Sequence, residues 1–307
     1  MKPVTRLFLI GAPLLVAAVV VFGGGDGGSA VLADHPPEYP ERSTAPAPLL
    51  SADADELEKA EKRIEKLPPG LAAPAKKEIA ARLVASAENS TLDWRGQYGA
   101  IEDVGDGNGY TAGIIGFCSG TNDMLHLVES YTKSHPDNPL ASYLPALRAV
   151  DGSDSHEGLD PGFRDAWAQA AESADFRTAQ DRTRDTLYFD PAVRLAKMDG
   201  LGTLGQFVYY DAMVLHGPGL DAEGFYGIRE AALKKARTAA EGGDEKAYLS
   251  TFLDASRSVI KTKSVTAQRD SSRIDTAQRL FLRDGNMDLR LPLRWQVYGE
   301  TFRIDAV

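Results

Sequence analysis

Two carboxylates in unlike settings are the residues of this sequence best suited to chemistry. Glu88 closes the segment 75–88 (AKKEIAARLVASAE), one helical turn beyond Val84. A carboxylate there meets the negative end of the helix dipole. Partial burial against Val84 and Leu92 also disfavours its charged form. Both effects raise its pKa, as a general acid needs. Asp106 follows eighteen residues later, between Gly105 and Gly107. On such a turn an exposed carboxylate beside peptide N–H groups stays ionised, as a general base needs. Two carboxyls so placed on opposite walls of a cleft suit glycoside hydrolysis. The same residues also read as a solvated helix end and a turn former, and the residues alone leave both readings open.

Other chemistries fit less well. Gly107-x-Gly109-x-x-Ala112 matches a loose dinucleotide pattern. No convincing strand precedes it, and Glu102, Asp103 and Asp106 would repel a pyrophosphate. The spacing after Asp103 or Asp106 lacks the ligands of an EF-hand loop. The five histidines show neither HxxxH nor HExxH spacing, so no catalytic zinc, other metal or cofactor is expected. No G-x-S-x-G elbow surrounds Ser119. The single cysteine, Cys118, excludes an internal disulfide and a cysteine-rich zinc site.

The elements that must position the two carboxylates are mostly helical. Ile79, Ala80, Leu83, Val84 and Ala87 form one apolar face of 75–88. Helical periods recur over 121–132, 140–149, 162–182, 191–215, 227–239, 244–263 and 273–283, with Pro191 reading as a helix start. Strand signals are few: 110–118 and, more weakly, 293–305. Upstream, Lys2 and Arg6 precede the apolar run 7–22, and small residues follow, so 1–33 reads as a secretory signal peptide. An uncleaved anchor is the alternative. Residues 34–50 are proline-rich linker, and 53–67 read as one amphipathic helix stopped by Pro68-Pro69-Gly70. Over 307 residues the net charge is −10, with 43% hydrophobic and 25% charged residues. This is a globular composition. Its acidity argues against nucleic acid and anionic membranes, and favours a cationic partner if the charge matters.

The segments SAENSTLDW (86–94), IEDVGDGNGYTAGIIGFCSGTNDML (101–125), LGQFVYYDAMVLHGPG (204–219), GGDEKAYLSTFLDA (242–255) and DSSRIDTAQRLFL (270–282) resemble the secreted actinobacterial chitosanases of glycoside hydrolase family 46. The resemblance runs from about Leu71 to the C-terminus, making 71–307 the catalytic domain and 34–70 a segment apart. It implies a mainly α (α+β), lysozyme-like fold with two lobes, a small sheet in one lobe and a cleft between them. It also implies endo-hydrolysis of β-1,4 links between glucosamine units of chitosan, with inversion. By motif, Glu88 is the general acid, Asp106 the general base, and Thr111 helps hold the attacking water. Asp123 is implied as an acidic contact to a sugar amine, and Tyr188 and His216 as cleft contacts or core residues. Asp211 and Arg273 match an ion network behind the carboxylates.

Three departures stand out. Asn108 replaces a usual arginine, and Ala100 a common tyrosine. Ser256 takes the place of the arginine that completes the network, with Arg257 shifted by one residue. Arg257 is expected either to join the network or to miss it. A secreted monomer without a stable membrane partner is expected. A lysozyme-like peptidoglycan hydrolase and a non-catalytic glycan-binding protein are the alternatives.

Overall fold

The computed structural model describes residues 58, 59, 62, 64–263 and 269–307. The expected signal peptide, the proline-rich linker and most of the 53–67 helix lie outside the described residues.

Helix α1 (Pro74–Glu88) begins with a proline in its first turn, where the missing N–H costs nothing. Its expected apolar face is buried. Toward its C-terminal end Ala85, Ser86 and Glu88 are buried as well, so the last turn is enclosed on all sides. A three-stranded antiparallel sheet follows: β1 (Ile101–Asp103), β2 (Tyr110–Ala112) and β3 (Phe117–Cys118). Glu102 pairs with Thr111, and Thr111 with Cys118. The predicted strand 110–118 is therefore a hairpin, and β1 is an added strand. With only three residues, β1 is too short to show a period.

Helices α2 (Asp123–Ser134), α3 (Leu144–Val150), α4 (Phe163–Ala171) and α5 (Ala174–Arg184) pack around this sheet as one lobe. The second lobe holds α6 (Asp190–Met198), α7 (Thr203–His216), α8 (Phe225–Leu233), α9 (Glu245–Thr262) and α10 (Arg279–Arg283), with the hairpin β4 (Leu293–Val297)–β5 (Glu300–Ile304). Strand β4 alternates buried and exposed residues, which is the period-two signature of a half-buried strand. One hydrophobic cluster runs through both lobes, and Trp94, Trp167 and Trp295 belong to it.

Two helical readings need correction. The predicted helix 162–182 breaks at Glu172–Ser173, where the Ser173 side chain accepts from the Asp175 N–H and starts a new helix. The predicted helix 191–215 breaks after Met198, while Pro191 falls in the first turn of α6, as expected. A π-helical turn, Asp185–Phe189, joins α5 to α6 and carries the chain through Pro191 without a stop. A proline normally loses a bond and clashes with the carbonyl four residues back. The wider turn just before it relieves both. The result is one continuous rod from Ala174 to Met198 that links the lobes.

Trp295 of β4 is 1% exposed, and its indole N–H donates to Ser86 Oγ of α1 at 3.0 Å. This contact ties the C-terminal hairpin to the helix that ends in Glu88. Trp295→Ala should lower unfolding free energy by about 3–5 kcal/mol, read as a fall in urea midpoint.

Candidate active site

Glu88 ends α1 and is 1% exposed. Its Oε1 accepts from Arg273 Nη1 at 2.7 Å, while Oε2 is buried without a hydrogen-bond partner. Burial pushes its carboxyl above the usual range. The Arg273 charge and hydrogen bond oppose that rise, and the Asp211 charge adds to it. The sequence reading invoked partial burial and the helix dipole; complete burial is the larger cause.

Arg273 reaches further. Its Nη2 and Nε donate to the two oxygens of Asp211 at 2.7 and 3.1 Å, so the guanidinium grips one carboxylate in a fork and a second by its remaining edge. Gln278 also donates to Asp211. Arg273 and Gln278 are five residues apart, yet both reach the same carboxylate. They bound a π-helical turn, Arg273–Gln278, in which residues i and i+5 are hydrogen-bonded across a turn. No pattern in the residues announces such a turn, so Gln278 escaped the sequence reading.

Arg257 does not join this group. It is 43% exposed, and its Nε donates to Asp275 at 2.9 Å. The one-residue shift on α9 turns it away by about a quarter-circle, as its spacing allowed. Ser256 points inward instead and meets His216 Nε2 at 2.8 Å. His216 is 1% exposed, and burial lowers its pKa to about 3, so the ring is neutral. Of the two roles its motif allowed, this burial and the Ser256 contact favour the core one.

Asp106 lies in the β1–β2 turn, where Gly105 and Gly107 adopt positive φ. Its Oδ1 accepts from the Asn108 N–H at 3.0 Å. It is 8% exposed, not the open carboxylate expected of a glycine-flanked turn. Burial raises its pKa, hydrogen bonds from the Asn108 side chain and backbone lower it, and Asp103 raises it. Asn108 is itself 5% exposed and serves this carboxylate. Thr111 is 5% exposed, with its hydroxyl 3.4 Å from Cys118 Sγ. Burial pushes the Cys118 thiol well up, which suits an inert packing role.

Asp123 opens α2. Its Oδ1 accepts from the Cys118 N–H, the Thr121 hydroxyl and its neighbour's N–H at Met124. Its Oδ2 accepts from Tyr188 at 2.8 Å. Burial, against these bonds, moves its pKa up to about 6. Tyr188 is therefore tied to Asp123 and senses the charges of both Asp123 and Glu88. A groove of about 220 Å³ runs between the end of α1, at Asn89, and the β1–β2 hairpin, at Glu102, Val104 and Thr111; Ala100 lines it too. Among the described residues no group of three or more His, Cys, Asp or Glu is placed to hold a metal ion.

Such a site has one carboxyl whose protonated form burial favours and a second held on a glycine-flanked turn. The Glu88–Arg273–Asp211 trio also carries a stability cost if broken, because a buried charge without its partner is expensive. Arg273→Met should destabilise the fold by about 3–5 kcal/mol in urea unfolding, and Arg273→Lys, which lacks the fork, should recover only part of that.

Residues 82–293 match the family described as Glycosyl hydrolase family 46. A chitosanase from Streptomyces sp. (strain N174) is 58% identical over 237 residues, covering 77% of this chain and 84% of the relative. A chitosanase from Nocardioides sp. (strain N106) is 55% identical over the same length, with the same coverage of both chains. A structure of chitosanase OU01 with substrate superposes with a TM-score of 0.75 at 54% identity, covering 77% of this chain and 99% of that one. The two-lobed, lysozyme-like fold expected from the motifs is thus the fold of this chain. By its sequence, its architecture and the run of its matched segments, the chain belongs to glycosyl hydrolase family 46.

Proposed function

We propose that this protein is an endo-acting chitosanase that hydrolyses β-1,4 links between glucosamine units with inversion, using Glu88 as general acid and Asp106 as general base. The observation that carries this reading is the Glu88 carboxyl. One oxygen is held by Arg273, and the other is buried and unpartnered. Burial favours the protonated form of the group, and the Arg273 contact leaves Oε2 as the oxygen to carry the proton. Oε2 then has one partner to seek, the glycosidic oxygen of a bound sugar.

The reaction balances without any other group. Glu88 Oε2 gives its proton to the leaving glycosidic oxygen as the bond to the anomeric carbon breaks. Charge builds on the ring as an oxocarbenium-like species. A water on the opposite face loses a proton to Asp106 and forms the new bond to that carbon. Thr111, beside the turn, helps hold that water. Inversion follows because the water attacks from the face opposite the leaving group, and the two carboxyls must stand about 6.5–9.5 Å apart or more to admit it.

A polymer of ammonium-bearing sugars suits an acidic chain. Glu102 lines the groove, and Asp123 Oδ2 keeps acceptor capacity beyond its bond from Tyr188. We assign Asp123 the contact with a sugar amine and Tyr188 the task of orienting that carboxylate. Secretion as a monomer, through removal of 1–33, completes the proposal; no helix among the described residues is long and apolar enough to cross a membrane.

Glu88→Gln should lower kcat on chitosan by about 10²–10⁴-fold while substrate still binds, and NMR of fresh products should show the inverted anomer. Near-parental turnover by Glu88→Gln would remove the acid assignment. Release of reducing ends from peptidoglycan but not from chitosan would move the protein to the lysozyme-like alternative, and binding without product would make it a glycan-binding protein.

The pH profile should be a bell whose limbs both lie above ordinary carboxylate values. The base works only when ionised, so the acid limb follows Asp106, which burial raises. The acid works only when protonated, so activity falls as pH rises through the value of Glu88, which complete burial raises. Asp106→Asn should abolish the acid limb along with most of the rate, and a parental acid limb in that variant would reassign the base.

A further inference from the structure

The turn that carries Asp106 is short and glycine-rich, so something outside it must fix it. Part of the support is backbone. The Gly120 N–H donates to the Asn108 carbonyl at 3.0 Å, and the Gly152 N–H donates to the Gly120 carbonyl at 3.1 Å. The polar segment 151–160 is thereby stacked behind the turn. At Gly109 a Cβ would meet Ser119 Oγ at 2.3 Å and Asp154 at 3.7 Å, so the packing leaves no slack.

The rest of the support centres on His156. Its ring stacks on Tyr110 of β2, with centroids 4.0 Å apart and planes 7° from parallel. Its Nε2 lies 3.4 Å from Asp103 Oδ2, and its Nδ1 lies 3.6 Å from Asp160 Oδ2. These contacts are longer than closed hydrogen bonds. Tyr110 closes the ring of contacts by donating to Asp160 Oδ1 at 2.7 Å. Asp103 is the link to the reacting group: its Oδ1 accepts from the Gly105 N–H at 2.7 Å, one residue before Asp106. Groups facing His156 therefore come from β1 (Asp103), β2 (Tyr110) and its own segment (Asp160), and Arg164 of α4 acts on the same Tyr110.

We propose that His156 is a positioning residue for the proposed general base: it pins Asp103, and through Asp103 the Gly105–Asp106 turn, to the 151–160 segment. The proposal rests on the assignment of Asp106 above. His156 does not touch the reacting atoms. It lies between the Asp103 and Asp160 carboxylates, and it restrains a turn whose glycines do not restrain themselves.

His156→Phe keeps the stacked ring and removes both charge contacts. Asp160→Asn, at a half-exposed position, keeps the acceptor for Tyr110 and removes one charge. Both variants, with Asp106→Asn alongside, are assayed on chitosan across pH after a thermal melt. His156→Phe should lose about tenfold in kcat with KM within about twofold, as a displaced reacting group does. Its acid limb should move, because Asp103, whose charge raises the Asp106 carboxyl, loses its anchor. Asp160→Asn should lower kcat by a smaller factor and leave KM unchanged; it carries the test if His156→Phe melts below the assay temperature. A kcat within twofold of the parent with an unmoved acid limb overturns the proposal. So does a loss confined to KM, which would put His156 on the substrate path. Full activity in Asp106→Asn would overturn the base assignment itself, a result distinguishable from either.

Discussion

The fork of Arg273 across Asp211 and Glu88 is the interaction on which this site depends. Three charged side chains, each almost wholly buried, come from α1, α7 and the π-helical turn before α10. Their desolvation is costly, and only close geometry offsets it. That geometry needs α1 to end where it does and α7 to run beneath it. It also needs the C-terminal hairpin to hold α1 through the Trp295–Ser86 contact. The core of the second lobe can be regarded as the mount for one carboxyl. Because Arg273 is shared, neither carboxylate has a whole counter-charge, and burial wins at Glu88.

The two proposed reacting groups are held by opposite strategies. Glu88 sits on a rigid helix end inside a packed cluster, so its position follows from the core. Asp106 sits on a turn with glycine on either side, so its position is supplied by neighbours: Asn108 by hydrogen bonds, and the 151–160 segment from behind. A site split this way separates binding-dependent adjustment from proton donation. The helix end stays fixed, and the turn is the part whose contacts decide alignment.

Much of this was legible in the residues. The apolar spacing of 75–88 located α1 and placed Glu88 at its end, and the quoted motifs brought Asp106, Asp123, Asp211 and Arg273 to the right segments. What stayed hidden depended on contacts made across the chain. Burial of Asp106 could not be read from Gly-Asp-Gly, which locally signals an exposed turn. The break at Ser173 has a cap in the sequence, but the apolar period continues over it. Pro191 marks the first turn of α6, but no local pattern foretells the π-helical turn that leads into it. Its second occurrence, at Arg273–Gln278, explains why Gln278 lay outside any helical spacing argument. Ser256 and Arg257 were legible as a pair with two outcomes, and only the packing of α9 chose between them.

The burial of acidic groups has a thermodynamic corollary. Glu88, Asp106 and Asp123 all hold protons more tightly in the folded chain than their ordinary values imply. Between those ordinary values and the raised ones, the native state binds more protons than the unfolded state. By linkage, their contribution to stability is fully present below the unfolded values and declines as pH rises through the folded ones. A rise in pH through the folded values therefore draws on the stability that these buried carboxyls lend to the native fold.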